Sequence, residues 1–210
     1  MNYMVYVVDD DESVIAALRN LLDSEGYTIA AFTSPQAFLA QPHYETPSCL
    51  IVDINMPGTD GFDVSRTLHE RGHTIPTIFL TGFGTIPITV KAMKAGACEF
   101  LTKPVMPEPL LQAVSEALRI SEDARVTSLE NLELTERLRS LTPREHEVLQ
   151  LAVSGLLNKQ IAAEMGVSEI TAKVHKRRVM EKMKVRSISD LVRATERLNL
   201  FKHSTAGSAS

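Results

Sequence analysis

The chain lacks most features that mark a membrane, secreted or redox protein. Its 210 residues contain no run near the roughly 18 apolar residues that cross a bilayer. Met1 to Met4 lack the basic start and apolar stretch of a secretory leader. There are two cysteines, Cys49 and Cys98, far apart and each among apolar neighbours. That spacing excludes a metal knuckle or a paired redox motif and fits buried, reduced thiols. The six histidines are scattered without ligand spacing. These absences together predict a cytoplasmic protein with no membrane partner.

Uniform charge is also missing. The net charge of −4 divides into −7 over residues 1–120, −2 over 121–140 and +5 over 141–210. An acidic front and a basic back predict two domains with different partners.

The front half is organised around Cys49-Leu50-Ile51-Val52-Asp53, an apolar run ending in a carboxylate, followed by the turn Met56-Pro57-Gly58. Such a run fits a parallel strand buried on both faces. Strand patterns also end at Val8, Phe32, Leu80 and Leu101. Helical stripes separate them, carried by Val14, Leu18 and Leu22, by Phe38, by Val64 and Leu68, by Val90 and Met93, and by Leu110, Val114 and Leu118. Five alternations of strand and helix predict a doubly wound α/β domain with a five-stranded parallel sheet over 1–120.

Right-handed crossovers bring every strand's C-terminal end to one rim. Asp9, Asp10, Asp53, Thr81 and Lys103 therefore converge, although each alone reads equally as a cap or a strand end. Clustered carboxylates repel and call for a hard cation, Mg²⁺ or Mn²⁺. With Lys103 as a point charge and Thr81 as a hydroxyl donor, the set suits phosphoryl transfer. The expected roles are Asp53 as phosphoacceptor, Asp10 as direct metal ligand and Asp9 as a ligand through water. The Asn55 backbone carbonyl completes the shell, and Asp11 is the weaker ligand candidate. A nucleotide- or flavin-binding domain is the closer rival, but it wants a glycine-rich loop where this chain has Asp9-Asp10-Asp11-Glu12.

Val8-Asp9-Asp10, Asp53-Ile54-Asn55-Met56-Pro57-Gly58, Thr81-Gly82 and Lys103-Pro104 are similar to the motifs of the receiver domain of two-component response regulators. The resemblance covers residues 3–120. It implies a flavodoxin-like sheet of order 2-1-3-4-5 and phosphorylation of Asp53 by a sensor histidine kinase. It also implies a cis Lys103–Pro104 peptide and a switch pair, Thr81 and Phe100. Plain core packing is the alternative for Phe100.

Residues 121–140 contain no Gly or Pro and are rich in Glu, Leu and Arg, which predicts a helical linker. Leu134, Leu138 and Leu141 follow at i, i+4 and i+7, placed to dock on a domain or pair between chains, with a solvated spacer as the alternative.

Residues 141–200 read as four helices. Leu141-Thr142-Pro143-Arg144-Glu145 opens the first with a cap, Pro at N1 and Glu at N3. Ile161-Ala162, Gly166-Val167-Ser168, Thr171 and Val174 follow a helix-turn-helix layout. Between Lys173 and Arg186 stand seven bases and one acid, Glu181. A solvated or membrane-surface helix is the alternative, but the Trp/Phe/Leu face of a membrane helix is missing. Residues 141–195 resemble the LuxR-type DNA-binding domain, with Ala172 where Val is usual. The matching positions imply base contacts from Lys173, Val174 and Arg177, and backbone contacts from Thr171, His175 and Arg178, with Lys176 on the same helix. An interior hydrogen-bonding role is equally open for His175. Residues 201–210 are expected to be disordered.

The two halves together resemble the NarL/FixJ class, FixJ-like members in particular. The resemblance implies a transcription regulator that binds promoter DNA, dimerises when phosphorylated, admits RNA polymerase as a further partner and is not an enzyme beyond its own phosphorylation and dephosphorylation. Two rivals stay open. A ligand-sensing receiver would respond to a metabolite and not to a phosphodonor. A phosphatase using Asp53 wants a general acid two residues on, where Asn55 stands.

Overall fold

A computed structural model of the chain describes residues 3–41, 46–82, 90–93 and 96–198. The chain divides into two compact units, Met1–Val126 and Thr127–Ser210. The linker expected at 121–140 is shared between them.

The first unit is built on five parallel strands: β1 Met4–Val8, β2 Thr28–Phe32, β3 Ser48–Asp53, β4 Thr77–Thr81 and β5 Glu99–Thr102. Their order is β2-β1-β3-β4-β5. Helices α1 (Glu12–Ser24), α2 (Pro35–Leu39), α3 (Gly61–Glu70) and the start of α4 (Pro107–Arg139) cover the sheet. Residues 90–93 are helical, as the Val90–Met93 stripe predicts. Period-two alternation splits the strands between two cores. Val5, Val7, Ile51, Ile78 and Leu80 pack with Leu18, Leu22, Leu110 and Val114 on one face. Tyr6, Val8, Leu50, Val52 and Phe79 pack with Phe38, Phe62 and Leu68 on the other. All six residues of β3 are buried, because it is the middle strand and both its faces are covered. The β2 and β5 strands lie at the edges and stay half-exposed, so Phe100 is only partly buried. It still packs against the second core, so burial does not separate core packing from a switch role.

The caps follow local chemistry. The Asp11 carboxylate accepts from the Ser13 N–H at 2.8 Å and caps α1. Ser34 caps α2, with Pro35 at the first position. Asp60 caps α3. The α4 helix continues to Arg139, as a segment without Gly or Pro allows.

The second unit contains α5 (Pro143–Val153), α6 (Asn158–Met165), α7 (Glu169–Met183) and α8 (Ile188–Arg197). Its core gathers Val148, Leu149, Ile161, Ala162, Ala172, Val179, Met183 and Leu191. Leu134 and Leu141 join that core and Leu138 packs partly against it, which selects docking among the readings of this stripe. The α8 helix begins at Ile188, where Ser187 and Asp190 form a capping box. Gly166 turns α6 into α7 with φ +65°, a left-handed conformation that suits glycine. The glycine-rich Gly82–Thr85 loop, beyond Gly82, and the tail at 201–210 lie outside the described residues.

One ion pair ties the opening of α5 to α7. Thr142 and Glu145 form a reciprocal capping box. The Lys182 ammonium donates to Glu145 Oε2 at 2.6 Å and to the Ser140 carbonyl at 3.0 Å. Glu145 is 4% exposed. Hydrogen bonds from Lys182 and the Thr142 N–H hold its carboxyl down at about 2. A depressed carboxyl stabilises the fold above its unfolded pKa and loses that contribution as pH falls through its folded one. Urea unfolding of the full chain, followed by helix content, should show this loss between about pH 4.5 and 2. Glu145→Gln should flatten that dependence and cost roughly 2 kcal/mol at neutral pH.

Candidate functional site

Because the strands are parallel, Asp9 after β1, Asp53 closing β3, Thr81 closing β4 and Lys103 after β5 meet at one edge. The strand order reverses between β1 and β3, and that crevice holds Asp9 and Asp53. Lys103 Nζ lies 2.6 Å from Asp9 Oδ2 and 3.1 Å from Asp53 Oδ2. Asp9 and Thr81 are fully buried and Asp53 nearly so, while Asp10 is exposed. The Asp53 Oδ1 atom accepts from the Asn55 N–H at 3.3 Å. The Lys103 N–H donates to the Thr81 carbonyl at 2.7 Å, and the Lys103–Pro104 peptide is cis.

Burial pushes the Asp9 carboxyl up, against hydrogen bonds from Lys103 and the Asp11 N–H. Burial pulls Lys103 down, but its bonds to Asp9 and Asp53 outweigh that and leave it raised. The ammonium therefore stays charged, yet one positive charge does not fully neutralise two buried carboxylates. Ligand oxygens of Asp9, Asp10 and Asp53 lie within 4.8 Å of one another. An all-oxygen set of that size, short of positive charge, fits a hard divalent cation. Asp11 is turned away into the α1 cap, so Asp9 and Asp10 are the acids of the run that face the site.

Two features escape sequence reasoning. Asn55 Nδ2 reaches Thr81 Oγ1 at 3.5 Å, so its side chain as well as its backbone addresses the site. Gly61 starts α3 against the end of β3. A Cβ there would sit 2.4 Å from the Asp53 carbonyl oxygen. Only a glycine permits that approach. The Asp60-Gly61 pair was visible, but its neighbour across the fold was not.

On α7, Lys173, Val174, Arg177 and Arg178 are exposed, while Thr171, His175 and Lys176 are half-buried. The Thr171 N–H donates to Ser168 Oγ at 3.1 Å, within the helix cap. Lys176 Nζ donates to Asn158 Oδ1 at 3.2 Å, which ties α7 to α6. His175 Nδ1 is buried and has no hydrogen-bond partner among the described residues. Arg177 pairs with Glu181 at 2.7 Å on an open surface. Ile170, 77% exposed, stands one turn before Val174 on the same side as Lys173 and Arg177. Sequence reading passed it over because an isoleucine at a helix start reads as core.

Known proteins share both arrangements. Residues 5–115 match the response regulator receiver domain, and residues 139–195 match the bacterial regulatory proteins of the luxR family. The response regulator protein TodT of Pseudomonas putida is 46% identical over 195 residues, 93% of this chain and 86% of TodT. The transcriptional regulatory protein FixJ of Bradyrhizobium diazoefficiens is 36% identical over 94% of this chain and 96% of its own. A solved structure of the response regulator StyR, 43% identical, matches with a TM-score of 0.82 over 94% of this chain and 100% of that one. The chain belongs to the NarL/FixJ class of two-component response regulators. Members of this class regulate transcription and are not classical enzymes. No helix among the described residues is long and apolar enough to cross a membrane.

In this regulator the position of Asp53 depends on Gly61. Gly61→Ala should force α3 away from the end of β3, at roughly 1–3 kcal/mol, the range for overpacking. A lowered urea midpoint together with slower labelling by a small-molecule phosphodonor is the expected result. Wild-type values for both would show that the contact does not position Asp53.

Proposed function

We propose that Asp53 takes a phosphoryl group from the phosphohistidine of a sensor histidine kinase and thereby controls promoter binding by α7. The observation that carries this reading is Lys103 bridging Asp9 and Asp53, with the Asp10 carboxylate within reach of both. A carboxylate oxygen of Asp53 attacks phosphorus as the P–N bond to the imidazole breaks, and the electron pair leaves with the ring. Lys103 offsets charge on the transferring oxygens, and the Thr81 hydroxyl donates to one of them. Asp9, Asp10, Asp53 and the Asn55 carbonyl would hold Mg²⁺ or Mn²⁺, which lowers the repulsion between carboxylate and phosphoryl group. The same constellation supports self-catalysed loss of the phosphoryl group by water.

Acyl phosphate formation adds roughly −1.5 to −2 charge at the rim. Thr81 moves toward it and Phe100, only half-buried on its edge strand, has room to follow. The shift favours a homodimer whose two α7 helices meet half-sites about one DNA turn apart. Lys173, Val174 and Arg177, joined by Ile170, read base edges, while Thr171, His175, Lys176 and Arg178 address the backbone. DNA as the target places the protein in the cytoplasm, with RNA polymerase as the next partner.

Intact-mass measurement with phosphodonor and Mg²⁺ should show one phosphate on wild type and none on Asp53→Ala. An equal adduct on both would sink the assignment. On operator DNA selected by the wild-type protein, Lys173→Ala or Arg177→Ala should cost about 1–3 kcal/mol and relax specificity. Arg178→Ala should weaken all sequences alike and lower the salt slope by about 1.

A further inference from the structure

The C-terminal end of α7 is held by a residue outside the luxR-family match, which covers residues 139–195. From Thr127 onward the chain belongs to the second unit, so the last turns of α4 fold with α7. Leu134 lies in their shared core with Leu138 against it, and Arg197 of α8 pairs with Glu130 at 2.7 Å.

Lys184 ends α7 with φ +54°, a left-handed conformation where glycine is usual. The Lys184 and Val185 N–H groups turn back to the Glu181 and Met180 carbonyls. The Met183 carbonyl, last in the helix, has no intrahelical N–H to bond. Arg137 Nη1 donates to it at 3.4 Å. Arg137 Nη2 donates to Glu133 Oε1, one turn earlier on α4, and Lys184 Nζ lies 3.6 Å from the same oxygen. Glu133 thus orients the guanidinium, and the cation complements the dipole at this helix end.

The arginine is not explained by packing. Its side chain is 22% exposed, and its Nε is buried without a hydrogen-bond partner among the described residues. A buried donor left unpaired costs stability, and an apolar side chain would avoid that cost. What the arginine adds is its hold on α7. Arg177 stands six residues before Met183, roughly 9 Å along the helix. A tilt at the C-terminal end therefore displaces the side chains aimed at base edges. Base-edge contacts tolerate little displacement, whereas attraction to phosphates tolerates more.

We propose that Arg137 is a positioning residue for DNA recognition, holding the C-terminal end of α7 from α4 with Glu133 as its brace. This rests on α7 being the DNA-reading helix.

Equilibrium binding of the full chain to operator DNA selected by wild type, and to random duplex, tests it. Circular dichroism first checks that each variant has wild-type helix content. Arg137→Met keeps the aliphatic stem and loses the donor. It should bind operator about tenfold more weakly, and random duplex within about twofold of wild type. Glu133→Gln removes an acid, so charge alone would tighten DNA binding. Loss of the brace should instead weaken operator binding by about threefold. An Arg137→Met chain that does not fold leaves the decision to Glu133→Gln on its exposed site. Operator affinity at or above wild type in either folded variant, or an equal loss on operator and random duplex, overturns the positioning role alone. A wild type that selects no operator overturns the DNA-reading role of α7 and this inference with it.

Discussion

Two carboxylates cannot share a buried rim without positive charge, and the contact of Lys103 with Asp9 and Asp53 answers that constraint here. It joins the ends of β1, β3 and β5, which are far apart in the chain. Removing one partner of a buried ionic group leaves the other uncompensated, a penalty of about 3–5 kcal/mol. The rim is thus a structural joint and, in the function proposed above, the seat of the chemistry. Burial raises the Asp9 carboxyl even with the Lys103 ammonium beside it. A divalent cation would offset the repulsion between these carboxylates.

Accuracy at the rim comes from the sheet behind it. The β3 strand is buried along its whole length, so it cannot slip without exposing apolar residues or burying polar ones. Its last residue is Asp53, and Gly61 brings α3 to within contact of the Asp53 backbone. Asp53 is therefore held from behind by packing and from the side by the start of a helix. The edge strand β5 is less enclosed, and it carries Phe100. Close packing at Asp53 and partial exposure at Phe100 suit the switch proposed above.

The second unit achieves order by a similar device on a smaller scale. Glu145 caps its own helix and also receives Lys182 from α7. The helix that presents the exposed bases is thereby tied to the start of its domain. Lys176 serves the same end by bonding Asn158, which ties α7 to α6. Leu134 and Leu141 extend the core into α4, so a segment that reads as a spacer in the sequence partly belongs to the folded unit.

Much of this was legible without coordinates. Alternating strand and helix periods determined the doubly wound fold, and acids, Thr81 and Lys103 at successive strand ends determined which residues meet at the rim. The basic run from Lys173 determined the helix that exposes Lys173, Arg177 and Arg178. These are one-dimensional signals, because period and strand-end position are properties of the chain itself. Tertiary structure alone decided the rest. Whether Asp11 caps or ligates depends on where α1 begins in space. Gly61 is indispensable because of an atom eight residues earlier that a folded turn brings to 2.4 Å from its missing Cβ. Which leucines of α4 are covered, and which stay exposed, depends on the core that packs against one side of the helix. Such facts concern distances between residues that sequence keeps apart, and no pattern along the chain encodes them.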